Sequence, residues 1–352
     1  MLPLRIRFDD ATRQNFFPLS TQAYSPGGTT NFLLPTSGLG ARLWLQFQGT
    51  QTNAGVPTTT VTGPYSIIKR LTVRVNSGVT IIDATGYGLS LLAEVTGQLI
   101  GSEANIQACA GSTASGQANA FNYAVATASA FNFMLPVPLC WNYRDDIGLV
   151  LLQNTRAQVA VQILWNTATG ADLTFPYTGG TTVAITGTLT PFLEFFTLPE
   201  TAALFPDLLI MHKVTEYVQS ITSTGDQYVT LQRGNTFTKI LHYLYLNGVT
   251  TNATDITRGI LRYDQTVRPY ELTWATKQIQ QLIHYEKWLP NDVWVWDLAW
   301  QGIPGMGYFR DTIDSEAVSE LTSIINIGPT PTGLSQLNTV TEELIHLEPA
   351  AA

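Results

Sequence analysis

The segment Ser66–Thr80 (SIIKRLTVRVNSGVT) can be laid without gaps on Thr236–Thr250 (TFTKILHYLYLNGVT), an offset of 170 positions (236 − 66) in a chain of 352 residues. Lys69 falls on Lys239, Leu71 on Leu241, and Gly78-Val79-Thr80 on Gly248-Val249-Thr250. Each copy reads as a strand, a turn glycine, an irregular stretch, a helix and then further strands. Two units are too few for a solenoid, in which stacked repeats share one continuous core. The expectation is therefore a duplicated domain, with residues 1–190 as the first unit and 191–352 as the second. The boundary is placed between Thr178 and Pro206, where a Gly- and Thr-rich turn, Thr190-Pro191 and Pro199 break the pattern.

Both halves are dominated by alternation of apolar and polar residues, the signature of strands with one buried face. Leu71, Val73 and Val75 alternate with Thr72, Arg74 and Asn76, and Leu43–Gln48, Gln158–Trp165, Leu241–Leu246, Val293–Trp300 and Thr339–Leu347 read similarly. Clusters of Gly, Pro, Asn and Thr separate them, as in sandwiches and barrels. Two stretches change to helical period. Leu91, Val95 and Leu99 predict one helix from Tyr87 to about Gly101. Pro269 at its start, the stripe Leu272, Ala275, Ile279 and Leu282, and Pro290 as a stop predict the other.

Function classes narrow by subtraction. Only 12% of residues are charged, against about 25% in ordinary globular domains, and 45% are apolar. Such a surface is weakly hydrated, as befits either coverage by neighbouring subunits or a Thr-rich β protein. The net charge of −8 and the absence of a basic arm argue against coating nucleic acid, which requires clustered Lys and Arg. No stretch of about 18 apolar residues suggests a membrane span, and Met1–Asp10 does not read as a secretion signal. Cys109 and Cys140 form no disulfide framework or metal spacing, which fits synthesis in a reducing cytoplasm.

Candidate chemistry is sparse. His212, His242, His284 and His346 are far apart in sequence, with no partner at ligand spacing. Gly86-Tyr87-Gly88 resembles the start of a dinucleotide fingerprint, but Leu91 stands where the third glycine belongs, so a helix-entry turn explains it better. Acidic pairs stand at Asp9-Asp10, Asp145-Asp146 and Glu342-Glu343, with a looser group at Asp311, Asp314 and Glu316. Adjacent residues in a strand point to opposite faces, and Asp145-Asp146 and Asp311–Glu316 read as solvated loops or a calcium turn. Trp288, Trp294, Trp296 and Trp300 could stack on sugars. Because Trp294, Trp296, Leu298 and Trp300 share one strand face, core or subunit contact is the stronger reading. No catalytic residue, cofactor site or metal site is assigned.

The order of elements resembles the double jelly-roll major capsid proteins of tailless icosahedral viruses, especially the tectivirus-like phages with an internal membrane and, more distantly, adenovirus hexon. In the first half the resemblance is carried by Ile67–Val75, the turn Asn76-Ser77-Gly78, the helix entry Thr85-Gly86-Tyr87 with Leu89–Gln98, Phe131–Leu139, Asp146-Ile147-Gly148 and Ala157–Leu164. In the second half it is carried by Gly248, Asp255-Ile256, Trp274-Ala275 and Leu289–Trp294.

The resemblance implies an all-β chain of two tandem eight-stranded jelly rolls, each with a helix inserted between strands. It implies a homotrimer forming a pseudo-hexagonal capsomer in a virion shell, with neighbouring capsomers, minor capsid and vertex proteins and an internal lipid membrane as partners. No enzymatic activity and no cofactor are expected. Met1–Gly28 departs from relatives that carry a long amphipathic N-terminal helix, although Phe16-Phe17 with Arg5, Arg7 and Arg13 could touch headgroups. The loops Gln51–Pro64, Ser102–Ser129 and Thr250–Arg268 are candidates for exposed decorations. The alternatives are a two-domain carbohydrate-binding β-sandwich and a sandwich glycoside hydrolase, the latter lacking a visible acid and base pair.

Overall fold

The computed structural model describes residues 8–54, 58–59, 63–76, 78–97, 129–141, 147–154, 158–167, 177–178, 182–201, 204–246, 249–250, 255–264, 268, 270–299 and 312–347. Among the described residues, sixteen principal strands and two helices of ten or more residues build it. The first half contains β1 (Gln14–Pro18), β2 (Thr29–Leu33), β3 (Leu39–Ala54), β4 (Ile68–Val75), β5 (Val79–Ala84), α1 (Gly86–Val95), β6 (Ser129–Pro138), β7 (Val159–Trp165) and β8 (Thr182–Phe196). The second contains β9 (Ile210–Ser220), β10 (Gly225–Thr230), β11 (Thr236–Leu246), β12 (Ile256–Arg262), β13 (Tyr270–Thr273), α2 (Trp274–Tyr285), β14 (Val293–Asp297), β15 (Thr322–Ile327) and β16 (Gln336–His346).

The strand orders of the two halves are the same. In the first, β1-β8-β3-β6 faces β2-β7-β4-β5; in the second, β9-β16-β11-β14 faces β10-β15-β12-β13. All neighbours within these four sets are antiparallel. Each strand of the second half thus takes the place of the strand eight before it. Both helices sit between the fifth and sixth strands of their half, and both are capped by a threonine. The Thr85 hydroxyl accepts from the Gly88 N–H, and that of Thr273 from the Thr276 N–H, satisfying donors that the first helical turn leaves over.

The alternation expected of β3 is obeyed: Leu43, Leu45 and Phe47 point into the first sandwich, while Arg42, Trp44 and Gln46 point outward. In the second half the pattern is denser because the sheet is covered on both faces. On β11, Ile240, Leu244 and Leu246 enter the core of the second sandwich, whereas Leu241, Tyr243 and Tyr245 join the cluster that extends from the first. On β14, Trp294 and Trp296 face one way and Val293 and Val295 the other. Burial on both faces replaces alternation by a continuous apolar run.

The structure corrects several expectations. The 170-residue match does not join equivalent strands. Ser66–Thr80 covers β4 and the start of β5, whereas Thr236–Thr250 covers β11 and the two residues Val249–Thr250 that pair back on its end. The counterpart of β4 is β12, and that of β11 is β3. The duplication is real in topology, but a strand followed by a turn glycine is too generic to fix its register. Residues 190 and 191 both lie inside β8, which continues to Phe196, and the next principal strand starts at Ile210.

The second helix begins at Trp274 rather than near Pro269, since Tyr270–Thr273 is strand. Its buried residues are Trp274, Lys277, Gln281 and Tyr285, and the expected stripe residues Ala275 and Ile279 are exposed. The first helix ends at Val95, before the expected Gly101. Of the expected loops, Thr250–Arg268 contains β12, and Gln51–Pro64 begins with the end of β3. Pro269, Cys109, Asp145-Asp146, Trp300, Asp311 and nearly all of Ser102–Ser129 lie outside the described residues.

Candidate functional site at the joint between the sandwiches

The two halves meet where β5, the edge of one sheet, pairs in parallel with β9, the edge of another, through Ile82 with Val214 and Asp83 with Thr215. So short a ladder would not hold two domains, and α1 supplies the rest. All ten of its residues are buried. Its leucines pack in one cluster with Val214, Leu241, Tyr243, Val295 and Val340 of the second half. Tyr87 meets Tyr243 edge to face, with ring centroids 5.1 Å apart, a favoured aromatic geometry.

A buried carboxylate ties the helix end to the sheet. Glu216 on β9 accepts the backbone N–H of Thr85 at 2.6 Å and the hydroxyl of Tyr243 at 2.5 Å. Arg70 donates to the Glu216 carbonyl oxygen at 3.1 Å and to Asp83 at 2.6 Å. Burial pushes the Glu216 carboxyl above the usual range, while Tyr243, Thr85 and Arg70 pull it back. The position also suits negative charge, since it faces the positive end of the α1 dipole. Gly88 is the residue that permits this approach: a Cβ there would stand 2.7 Å from Oε2 of Glu216 and 2.9 Å from Val340.

At its other end the same sheet face carries Lys239, Glu342 and His212. Glu342 accepts from Lys239 Nζ at 2.8 Å and Thr238 Oγ1 at 2.7 Å, and His212 Nε2 lies 3.2 Å from it. Near the far end of α1, Lys287 approaches Glu94 to 3.8 Å. Burial raises the Glu94 carboxyl to about 8 despite that ammonium. The joint is thus an apolar centre flanked by buried, partnered charges. Its chemistry is that of holding two domains in one orientation.

The residues weighed from the sequence are scattered. His242 is buried between Thr339 and Ser323 at 2.9 and 2.8 Å, and burial lowers it to about 3, so it is a neutral hydrogen-bonded core histidine. His284 is on α2 and His346 ends β16. Cys140 is buried. Trp294 and Trp296 are buried, with the Trp296 indole donating to Ser323 at 2.9 Å, so neither offers a face to a sugar. Trp288 is exposed. Glu342 and Glu343 are both buried, while Asp314 and Glu316 are on the surface. Asp9 and Asp10 fall in a one-turn helix, Phe8–Ala11. Gly86 and Gly88 lie in the first turn of α1, as the helix-entry reading expected.

Among the described residues no three His, Cys, Asp or Glu side chains gather in a way that could hold a metal ion. Among them, too, no helix is long and apolar enough to cross a membrane. Glu216 was missed in the sequence. The available signal was its spacing from His212 and Val214, which puts all three on one strand face.

A sandwich of two four-stranded sheets in this order is a jelly roll, and the chain is two of them in tandem. No family model and no curated protein matches it. Solved structures do match. The crystal structure of the major capsid protein of STIV, the Sulfolobus turreted icosahedral virus, gives a TM-score of 0.71 at 14% identity, over 95% of this chain and 97% of its own. The PBCV-1 virus capsid gives 0.63 at 9%, over 95% and 93%. The major capsid protein of bacteriophage PM2 gives 0.54 at 11%, over 97% and 100%. At these identities the likeness is one of fold: the chain has the double jelly-roll fold of viral major capsid proteins.

Proposed function

We propose that this chain is a major capsid protein that trimerises into pseudo-hexagonal capsomers and tiles an icosahedral virion shell. The observation that carries this reading is the repeated topology locked side by side by the joint. Two like sandwiches held in one orientation give one chain two near-equivalent edges, and three chains give six. The whole-length likeness of fold to capsid proteins supports it. The sparsely charged surface suits a protein whose energy comes from contacts with copies of itself.

On this reading the units are the jelly rolls ending at Phe196 and beginning at Ile210, and the neighbours in the virion are further capsomers, minor capsid and vertex proteins and an internal lipid membrane. The acidic chain is separated from the genome rather than bound to it. Purified protein is expected to sediment at three times the chain mass and to show six-sided particles in negative stain. A monomer at every concentration and salt condition would refute the reading. Deleting the first twenty residues tests the membrane contact: loss of lipid from assembled particles supports it, and unchanged particles remove it.

A further inference from the structure

The two helices occupy the same place in their jelly rolls but are covered very differently. All ten residues of α1 are buried, against four of the twelve in α2. Counted from the capping threonines, Leu91 and Ile279 share one helix position, and Val95 and Ile283 another. Tyr87, Gly88 and Glu94 show which face of α1 meets the second jelly roll. Leu91 and Val95 lie on that face by helical period. Their counterparts Ile279 and Ile283 are 56% and 66% exposed, and Trp288 beyond them is 52% exposed. A helix that turns Lys277 and Gln281 inward and two isoleucines outward has an apolar face that no described residue covers.

The sheets show the same asymmetry. Among the described residues, α1 packs on the outer face of β9-β16-β11-β14, whereas the corresponding face of β1-β8-β3-β6 carries an exposed Phe16 and partly exposed Trp44 and Phe192. Across it runs an aromatic row. Phe16, 53% exposed, stacks on Phe192 with centroids 5.0 Å apart, and Trp44 stands beside Phe192 on β3. Within the row Glu194 is buried and accepts from the Trp44 indole at 2.8 Å, so this face, like its counterpart, sets a buried carboxylate among aromatic rings. The edges match as well. The chain joins β5 to β9 internally, and among the described residues β13 and β1, their counterparts, each pair with one strand only.

We propose that α2 and the β13 edge of one copy dock on the outer face and β1 edge of β1-β8-β3-β6 of the next, repeating between chains the joint made within each chain. The contact is heterologous, so it builds a ring, and three copies close it as six alternating jelly rolls. This deepens the capsomer reading and rests on it.

The test uses the full chain with Ile283→Asp on the helix side and Phe16→Asp on the sheet side. Sedimentation should fall from three chain masses to one for each variant alone, with the thermal unfolding midpoint of the monomer retained. Mixed together they restore one intact contact, and a species of two chain masses should appear. A wild-type trimer that neither variant disturbs overturns these surfaces and leaves the capsomer reading standing. A wild type that never trimerises overturns the reading itself. Should either variant misfold, amide exchange on the wild-type trimer decides: slow exchange along β1 and β13 supports the docking, and exchange as fast as in an open edge refutes it.

Discussion

Glu216, on the first strand of the second jelly roll, accepts the backbone N–H of Thr85, the residue that caps the helix of the first, at 2.6 Å. One carboxylate therefore completes a helix terminus in one domain from a sheet in the other. Because Tyr243 donates to the same group, the orientation of the two jelly rolls is fixed by groups that have no solvent to fall back on. On the proposed capsomer reading, a tile with two fixed edges depends on that rigidity.

Glu216→Ala should cost about 2–6 kcal/mol, since it takes the acceptor from two donors held away from solvent, at roughly 1–3 kcal/mol each. Glu216→Gln keeps the size and an acceptor oxygen and should cost about 2 kcal/mol or less. Urea unfolding of both variants checks this. Equal stability of Glu216→Ala and wild type would show that the joint does not depend on the carboxylate.

The Glu94 carboxyl supplies a pH dependence of the opposite sign to that of a surface carboxylate. Burial lifts it from 4.5 to about 8. Between these values the unfolded chain has lost the proton that the folded chain keeps, so stability falls as pH rises through that window. Lys287 is lowered by burial and acts on the alkaline side. Glu94→Gln should remove the decline between pH 5 and 8, measured as midpoint of unfolding against pH. A variant with the same slope as wild type would place the proton elsewhere.

Much of this architecture was legible in the sequence, and its limits are physical. Strands and helices declared themselves wherever one face was wet, as in Leu43–Gln48, and the duplication was visible as an order of elements. The register was not, because Ser66–Thr80 and Thr236–Thr250 share only what any strand before a tight turn shares. The face of α2 was misread because sequence period shows which residues are apolar, not which neighbour covers them: Ile279 points away from its own domain. Glu216 escaped notice, and Glu342 was seen only as half of an acidic pair, because a buried charge looks in sequence like a solvated one and their partners Thr85 and Lys239 are more than a hundred residues away.

Lys239 and Glu342 form a buried ion pair at 2.8 Å. Removing one member of such a pair leaves the other uncompensated, at about 3–5 kcal/mol, so Lys239→Met should be among the most damaging substitutions in the sheet. Burial acts to raise the Glu342 carboxyl, but Lys239 and His212 outweigh it and hold the group well below its ordinary 4.5. Its stabilisation is thus present above that value and lost as pH falls beneath it. In acid titrations Lys239→Met should flatten the acid limb of the stability curve. A variant that is destabilised equally at pH 3 and pH 7 would contradict the assignment.

Gly259, in the middle of β12, is explained by the neighbouring ring and not by a turn. A Cβ built there would stand 2.4 Å from Cζ2 and 2.5 Å from Cε2 of the Trp294 indole. That ring is fully buried, meets Trp296 at 5.3 Å and lies beneath the Lys277 ammonium at 5.9 Å, so it has nowhere to move. Gly259→Ala should therefore destabilise the second jelly roll by about 1–3 kcal/mol, the usual cost of overpacking, even though alanine is the better strand former. Combining it with Trp294→Phe, which shortens the ring, should return part of that loss. The coupling is read from the double-mutant cycle by urea unfolding, and strictly additive effects would mean that the two residues do not share the space the geometry assigns them.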